Sequence, residues 1–193
     1  MDYKRYIFLD VDGVLNHPAW YEKNRGKHLT NRDYEHIVRH IDPEKIDLLN
    51  QLEGCEVVLS TSWDHDECMK NMPGCGLKLP IIGGIKCFEL YRKYMVRGNS
   101  IAEWFVEQYG DMPRDSFFNS FEKTGWWHPH SRYIVENGVG RVVFQDNLAI
   151  SYVIFDDNAD MLMDQKNHFI HVDSSVGLTQ ENINQAKQIL NIK

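Results

Sequence analysis

Tyr6-Ile7-Phe8-Leu9-Asp10-Val11-Asp12-Gly13 is the stretch that decides the fold of this chain. Four consecutive apolar or aromatic residues, followed at once by two carboxylates and a glycine, predict a buried strand with acidic side chains at its carboxyl end. An uninterrupted apolar run of this kind is typical of a parallel sheet that is covered on both faces. The opening of the chain therefore indicates an α/β fold.

Four further short runs, each rich in apolar residues, predict the remaining strands: 56–59, 79–82, 152–155 and 168–172. Three helices are expected between or after them: the first is capped by Asp42, the second by Asn99 or Ser100, and the last begins at Thr179. Strands that alternate with helices are typical of a parallel sheet with helices on both faces. We therefore expect an α/β domain built on a parallel five-stranded sheet.

Composition and charge disfavour several classes of protein. The 193 residues include 21 basic and 28 acidic side chains, a net charge of −7, and 42% are hydrophobic, as in ordinary globular domains. No apolar run approaches the roughly 20 residues of a membrane span, and none follows the charged start of the chain, so neither a membrane anchor nor a secretory signal is expected. The acidic balance also argues against a protein that coats long nucleic-acid duplexes.

The cysteines indicate neither a metal staple nor disulfides. Cys55, Cys68, Cys75 and Cys87 form no CxxC pair and have no matching histidine spacing, so a zinc site is not favoured. Reduced thiols in a cytoplasmic protein are the preferred interpretation.

The ends of the predicted strands supply the residues that suggest chemistry. Ligands of open parallel sheets bind beyond the carboxyl ends of the strands. There the first strand is followed by Asp10 and Asp12, the second by the hydroxyl cluster 60–62, and the fourth by Asp156 and Asp157. Carboxylates this close together need a cation or shared protons, and oxygen ligands of this kind suit Mg²⁺. The layout predicts a magnesium site where one carboxylate attacks phosphorus and another transfers protons; for any single acid, a helix cap or a solvated strand end is the alternative.

These residues resemble a known family, the phosphatase branch of the haloacid dehalogenase (HAD) superfamily that carries a DxD pattern. The closest resemblance is to the HAD-like domains associated with Swiss Army Knife RNA-repair proteins. It covers about 1–110 and 152–193 and implies a HAD-like Rossmannoid three-layer sandwich. Five stretches carry it in chain order: IFLDVDGVLN (7–16), VLSTSW (58–63), RGNSIAEW (97–104), IFDDNAD (154–160) and GLT (177–179).

The resemblance implies a role for each acidic residue of the motifs. Asp10 would be the nucleophile and Asp12 the general acid and base. Mg²⁺ would bind Asp10, the backbone carbonyl of Asp12, and Asp156, with Asp157 or Asp160 reaching it through water.

Two further assignments stay open between neighbouring residues. Ser60 would donate a hydrogen bond to the phosphoryl group, with Thr61 as the alternative in register. The third motif of the superfamily usually supplies a lysine, whereas the matching residue here is Arg97, whose guanidinium is larger and keeps its proton. Lys86 is the rival of Arg97 as the cation that would hold phosphate.

Two variable segments accompany this core. Residues 17–40 are expected to form a small flap after the first strand, with five basic and three acidic side chains, in which Trp20 is a candidate for stacking on a base; a solvated loop is the alternative. Residues 111–151 are expected to form an insert before the fourth strand, where the alternating residues around Asn137-Gly138 predict a β-hairpin. Trp126 and Trp127 would serve there as a stacking platform, a hairpin core or a dimer contact. The chain is thus predicted as a single domain, 1–193, with a core of 1–110 and 152–193.

The function expected on these grounds is that of a Mg²⁺-dependent phosphatase, a phosphoric monoester hydrolase. Its substrate would be a phosphomonoester of a nucleotide or a nucleic-acid end, hydrolysed through an aspartyl-phosphate. A phosphatase of small metabolites is one alternative, and a non-catalytic HAD-like module that binds phosphate or protein is another. The expected partners are a phosphorylated small molecule, a nucleotide or a nucleic-acid terminus, with neither a membrane nor a long duplex.

Overall fold

The computed structural model describes residues 2–24, 40–85, 96–109, 131–136, 139–144 and 148–192. Within these ranges the elements follow in chain order: β1 (Asp2–Leu9), α1 (Pro18–Asn24), α2 (Pro43–Leu49), β2 (Glu56–Leu59), α3 (His65–Asn71), β3 (Ile81–Gly84), α4 (Arg97–Tyr109), β4 (Ser131–Glu136), β5 (Val139–Phe144), β6 (Leu148–Asp156), β7 (Phe169–His171) and α5 (Gln180–Leu190). Two short 3-10 turns, Met72–Cys75 and Met163–Gln165, lie between them. No helix in these ranges is both long enough and apolar enough to cross a membrane.

The strands form one sheet in the order β3-β2-β1-β6-β5-β4, and β7 also pairs with β6. Strands β1, β2, β3, β6 and β7 run parallel, which confirms the predicted parallel five-stranded arrangement. The predicted hairpin is also present as β4 and β5. It joins the main sheet, because β5 pairs antiparallel with the first part of β6.

Alternation along the central strands explains the three layers. Ile7 and Leu9 face one buried cluster, which includes residues of α2 and α5, whereas Tyr6 and Phe8 face a second cluster, which includes Trp104 of α4. Successive residues of a strand point to opposite faces, so an all-apolar strand must be covered on both sides. The helices therefore lie on the two faces of the sheet.

The predicted cap of α2, Asp42, is confirmed, and Thr179, predicted as the start of the last helix, is the residue that caps α5. The Asp42 side chain accepts a hydrogen bond from the Glu44 backbone N–H, and Pro43 takes the first helical position of α2. Thr179 caps α5 in a capping box with Asn182. Both caps are local, which is why the sequence predicts them.

The predicted start of α4 is wrong. The helix begins at Arg97, before both expected caps, Asn99 and Ser100. The carboxylate of Asp160 accepts a hydrogen bond from the Arg97 backbone N–H at 2.9 Å, and the Asp160 carbonyl accepts one from Gly98 N at 3.3 Å. A residue from a distant part of the chain thus caps this helix, and no pattern near residue 97 announces it.

Two strands also differ in their bounds from the prediction. β3 comprises 81–84 instead of 79–82, since Pro80 has no N–H to donate and only its carbonyl bonds β2, accepting from Val57 N at 2.8 Å. β6 begins at Leu148, four residues before the predicted start, because it pairs with the full length of β1. Its first residues belong to the stretch that was expected as part of the insert.

Candidate active site

Three polar residues lie side by side where the central strands end. Leu9 pairs with Leu59 of β2 and with Phe155 of β6, so Asp10, Ser60 and Asp156 form the next row. The backbone continues the ladder there, with Asp10 N donating to the Phe155 carbonyl at 3.0 Å and Ser60 N to the Leu9 carbonyl at 2.8 Å. The register of the sheet therefore brings together the first, second and fourth sequence motifs.

Arg97 closes this row from the start of α4. Its Nη1 lies 2.7 Å from Asp10 Oδ2 and 2.6 Å from Asp156 Oδ2, and it also donates to the Ser60 carbonyl at 2.6 Å. The cap from Asp160 holds the backbone of Arg97 in place. Arg97 thus lies next to Asp10 and Asp156, as expected for the cation of the third motif. Lys86, the predicted alternative to Arg97, lies outside the described residues.

Gly98 permits the close approach that places Arg97. A Cβ added at Gly98 would lie 2.5 Å from Leu162 N and 2.4 Å from Gln165 Oε1, so a larger residue would push α4 away from the loop that follows β6. The buried Gln165 fastens the same junction, since its Nε2 donates to the Gly98 carbonyl at 2.8 Å and its Oε1 accepts from Leu162 N at 2.9 Å. The guanidinium is therefore held on a rigid support.

Burial and the charge of Arg97 have opposite effects on the pKa values of Asp10 and Asp156. Burial raises the pKa of Asp10, although Arg97 opposes the shift. Burial likewise raises the pKa of Asp156 to about 7, with Arg97 lowering it and the charge of Asp10 raising it further. For Arg97, burial opposes ionisation, but the neighbouring carboxylates of Asp10 and Asp156 outweigh it and raise the pKa above the usual value. Groups whose pKa values are perturbed by burial and by neighbouring charges in this way are typical of functional sites.

Three carboxylates converge closely enough to share a cation. Oxygen atoms of Asp10, Asp156 and Asp157 all lie within 4.8 Å of one another. Gly13 makes room for this arrangement, because its backbone has φ +73° and an added Cβ would lie 2.5 Å from Asp157 Oδ2. The resemblance assigns only the backbone carbonyl of Asp12 to the metal, and the Asp12 carboxylate is not part of this cluster but accepts hydrogen bonds from Asn16 and Trp63.

The donor set fits a hard divalent cation. Among the described residues, Arg97 forms ion pairs with Asp10 and Asp156, while Asp157 adds a third carboxylate to them, so negative charge remains uncompensated when all three are ionised. Oxygen-only ligands favour Mg²⁺ or a similar ion over zinc. Asp160 lies beside Arg97 and is not part of the three-carboxylate cluster, although its buried Oδ1 has no hydrogen-bond partner among the described residues.

The two adjacent hydroxyls at the end of β2 have different surroundings. Thr61 hydrogen-bonds the carboxylate of Asp10, which lowers the pKa of that acid. Ser60 Oγ is fully buried beside Asp10 and has no hydrogen-bond partner among the described residues. A buried hydroxyl without an acceptor is costly, and of this pair only the hydroxyl of Ser60 is in that position among the described residues.

Asp12 is exposed, and two donors hold its carboxylate. Asn16 Nδ2 donates to Oδ1 at 2.9 Å, and Trp63 Nε1 donates to Oδ2 at 2.7 Å. The amide oxygen of Asn16 in turn accepts from the Gly13 backbone N–H at 3.0 Å. Asp12 therefore has a defined orientation although it stands at the surface of the site.

Aromatic side chains lie next to Asp12. The ring of His40 is 5.5 Å from that of Tyr21 and 6.3 Å from that of Trp63, measured between centroids. Burial raises the pKa of Tyr21 to about 12, with the charge of Asp12 as the second cause. Trp20, the predicted stacking residue, lies on the same helix, and Lys23 Nζ sits 5.9 Å from the centroid of its ring. Tyr21, His40 and Trp63 are called the aromatic cluster below.

The sequence did not predict the roles of some of these residues, and some predicted residues lie outside the described ranges. Asn16 and Trp63 stand inside the first and second motifs, so their presence was visible, but the hydrogen bonds to Asp12 were not. Tyr21 follows the predicted Trp20 directly. Trp126 and Trp127, like Lys86, lie outside the described residues.

Comparison with protein families agrees with this geometry. Residues 6–118, more than half of the chain, match the family described as the HAD domain in Swiss Army Knife RNA repair proteins. The chain belongs to this family. The comparison with curated proteins and the comparison with solved structures each found no match.

The match to this HAD family includes Asp10, Asp12, Ser60 and Arg97 but ends before β6. Asp156 and Asp157 therefore enter the site on structural grounds, through the pairing of β6 with β1. Membership of the HAD family supports a phosphatase of the HAD type in general, and HAD domains generally use Mg²⁺. The cluster of Asp10, Asp156 and Asp157 is suited to hold such a metal.

Proposed function

We propose that this HAD domain is a Mg²⁺-dependent phosphatase that hydrolyses a phosphomonoester of a nucleotide or a nucleic-acid end through an aspartyl-phosphate on Asp10. One observation carries the proposal. The carboxylate of Asp10 lies at the centre of a site with a cation, Arg97, at 2.7 Å, two further carboxylates within 4.8 Å, and a buried hydroxyl beside it.

The residues divide the reaction between them. A carboxylate oxygen of Asp10 attacks phosphorus, and the bond from phosphorus to the ester oxygen breaks with its electron pair on that oxygen. Asp12 donates a proton to the departing oxygen. In the second half, Asp12 takes a proton from water as that water attacks phosphorus, which releases phosphate and restores the carboxylate of Asp10.

The other groups of the site stabilise negative charge. Ser60 Oγ and the guanidinium of Arg97 would donate hydrogen bonds to phosphoryl oxygens. Mg²⁺, held by Asp10, Asp156 and Asp157, would neutralise the phosphoryl charge so that an anionic nucleophile can approach an anionic substrate.

The aromatic cluster supports a nucleotide or nucleic-acid substrate. Asp12 must reach the oxygen of the leaving group, so residues next to Asp12 are close to that group. Tyr21, His40 and Trp63 offer planar surfaces there, and bases stack on such surfaces. The family match adds to this, because it is with HAD domains in RNA repair proteins.

The activity is tested with purified protein, Mg²⁺ and p-nitrophenyl phosphate. Asp10→Asn should abolish turnover, whereas Asp47→Asn, a matched change at an exposed position of α2, should leave it unchanged. Turnover that persists in Asp10→Asn would remove Asp10 as the nucleophile. Wild-type protein that neither turns over substrate nor is stabilised by Mg²⁺ with beryllofluoride would favour a binding module instead.

The substrate class is tested with a panel of 5′- and 3′-nucleotides, end-phosphorylated oligonucleotides and sugar phosphates. We expect kcat/KM to be highest for nucleotides or oligonucleotide ends. Equal values across the panel, or a preference for sugar phosphates, would refute the nucleotide assignment while leaving the phosphatase mechanism in place.

A further inference from the structure

The segment that follows β2 contacts both of the acids to which the proposed reaction assigns chemistry. Thr61 hydrogen-bonds the carboxylate of Asp10, and two residues later the indole N–H of Trp63 donates to Asp12 Oδ2 at 2.7 Å. A single tight segment therefore sets the position of the nucleophile and of the proton-transfer group together. The base stacking proposed above for Trp63 uses the face of its ring and gives no role to its indole N–H, which bonds Asp12.

Trp63 is well supported for such a task. Its ring is half-buried and packs against the first buried cluster, and its backbone N–H donates to Thr61 Oγ1 at 3.3 Å. The ring of His40 meets it edge-on, with centroids 6.3 Å apart. Asp12, by contrast, is exposed, so its carboxylate depends on its hydrogen-bond partners for a fixed orientation.

The chemistry of the two partners restricts where a proton on Asp12 can go. An indole N–H only donates, and it cannot accept a proton from a carboxylic acid. The amide nitrogen of Asn16 also donates to Asp12, and its amide oxygen is occupied by the Gly13 N–H. Both contacts to Asp12 are made by N–H groups that cannot take up its proton, so they orient the carboxylate without drawing its proton away.

We propose that Trp63 is a positioning residue, whose indole N–H orients the Asp12 carboxylate so that its proton passes to the oxygen of the leaving group. This inference rests on the proposed phosphatase function and adds to it. As the Asp10–phosphorus bond forms and the ester bond breaks, the leaving oxygen gains the electron pair and takes the proton of Asp12. In the second step the same oriented carboxylate accepts a proton from the attacking water.

The inference is tested with Trp63→Phe, which keeps an aromatic ring and removes the N–H. Two substrates are compared in single-turnover experiments: p-nitrophenyl phosphate, whose leaving group needs little protonation, and a nucleoside 5′-phosphate, whose alkoxide needs a proton. Loss of oriented proton donation should lower the rate for the nucleoside phosphate about tenfold or more, while the rate of the aryl substrate changes little. Trp104→Phe, a matched change in the second buried cluster, should leave the ratio of the two rates unaltered.

The contact itself is measured separately by NMR of protein with ¹⁵N-labelled indoles. Asp12→Asn should shift the Nε1–H signal of Trp63 and leave that of Trp104 in place, a result that needs neither catalysis nor a folded Trp63 variant. A Trp63 signal that ignores Asp12→Asn would overturn the inference, as would an equal fall of both rates in Trp63→Phe. If the wild type hydrolyses neither substrate, the proposed function fails and the role of Trp63 with it; active wild type with an unchanged rate ratio refutes only the role of Trp63.

Discussion

Replacement of Gly13 by alanine should lower the affinity for Mg²⁺ in addition to lowering the free energy of unfolding. Gly13 has φ +73°, and a methyl group there would lie 2.5 Å from Asp157 Oδ2 and 2.7 Å from Asp157 Cγ. The backbone conformation alone costs roughly 1–2 kcal/mol for a residue with a Cβ. Rotation of the Asp157 side chain would relieve the contacts with Oδ2 and Cγ, although not the one with Asp157 Cβ at 3.0 Å, and it would take the carboxylate away from Asp10 and Asp156.

Gly54→Ala is a matched control for this change. Gly54 has nearly the same backbone conformation, φ +78°, and a Cβ there would have nothing within 4 Å. The backbone conformation should cost both variants a similar amount of stability, equivalent to a fall in Tm of about 2–8 °C for a chain of this size, and the contact with Asp157 adds to this cost in Gly13→Ala alone. Only Gly13→Ala should also bind Mg²⁺ about tenfold or more weakly, which is the usual scale for disturbing the support of a metal ligand.

The assay combines thermal unfolding without metal and calorimetric titration with Mg²⁺. Mg²⁺ binding by Gly13→Ala that is as tight as binding by the wild type would refute the predicted effect on Asp157. The prediction is also refuted if the two variants lose affinity equally, because the effect would then follow from global stability and not from Asp157.

Two more predictions follow from the electrostatics of the site. Arg97→Met should lower the free energy of unfolding by about 3–5 kcal/mol in metal-free buffer, because Asp10 and Asp156 remain buried without their cation. Mg²⁺ should restore part of this stability. Urea unfolding with and without Mg²⁺ measures both effects, and an unchanged midpoint would contradict the prediction. Mg²⁺ affinity should fall about tenfold per pH unit below pH 7, because burial raises the pKa of Asp156 to about 7 and the ion must displace its proton; titrations from pH 5.5 to 8.5 measure this, and a flat profile would show that Asp156 is ionised throughout.

The parts of the site that the sequence predicts share one property: each follows directly from a strand. Asp10, Ser60 and Asp156 come immediately after apolar runs, and the carboxyl ends of parallel strands meet at one edge, so their proximity follows from the fold class. The alternation of strands with helices predicted the parallel sheet, and the alternating residues around Asn137-Gly138 predicted the hairpin. Asp42 and Thr179 were predictable because a cap and its helix are neighbours in sequence.

The parts that the sequence does not predict depend on contacts between distant residues. Asp160 caps a helix that begins 63 positions earlier, and Trp63 donates to an acid 51 positions away. A tryptophan after a strand is compatible with many neighbours, and only the packed fold selects Asp12 among them. The choice between Ser60 and Thr61 depends likewise on side-chain direction, since the hydroxyl of Thr61 is already bonded to Asp10.

Strand β6 pairs with the hairpin strand β5 near its start and with β7 near its end. Its early residues, Ala149 and Ile150, pair with the hairpin strand β5, whereas its late residues, from Ile154 to Asp156, pair with β7. The hairpin therefore joins the sheet at the end of β6 opposite to the acidic row. An accessory attached in this way can be exchanged, lengthened or given a new partner as a module, while the register that aligns Asp10 with Asp156 stays the same.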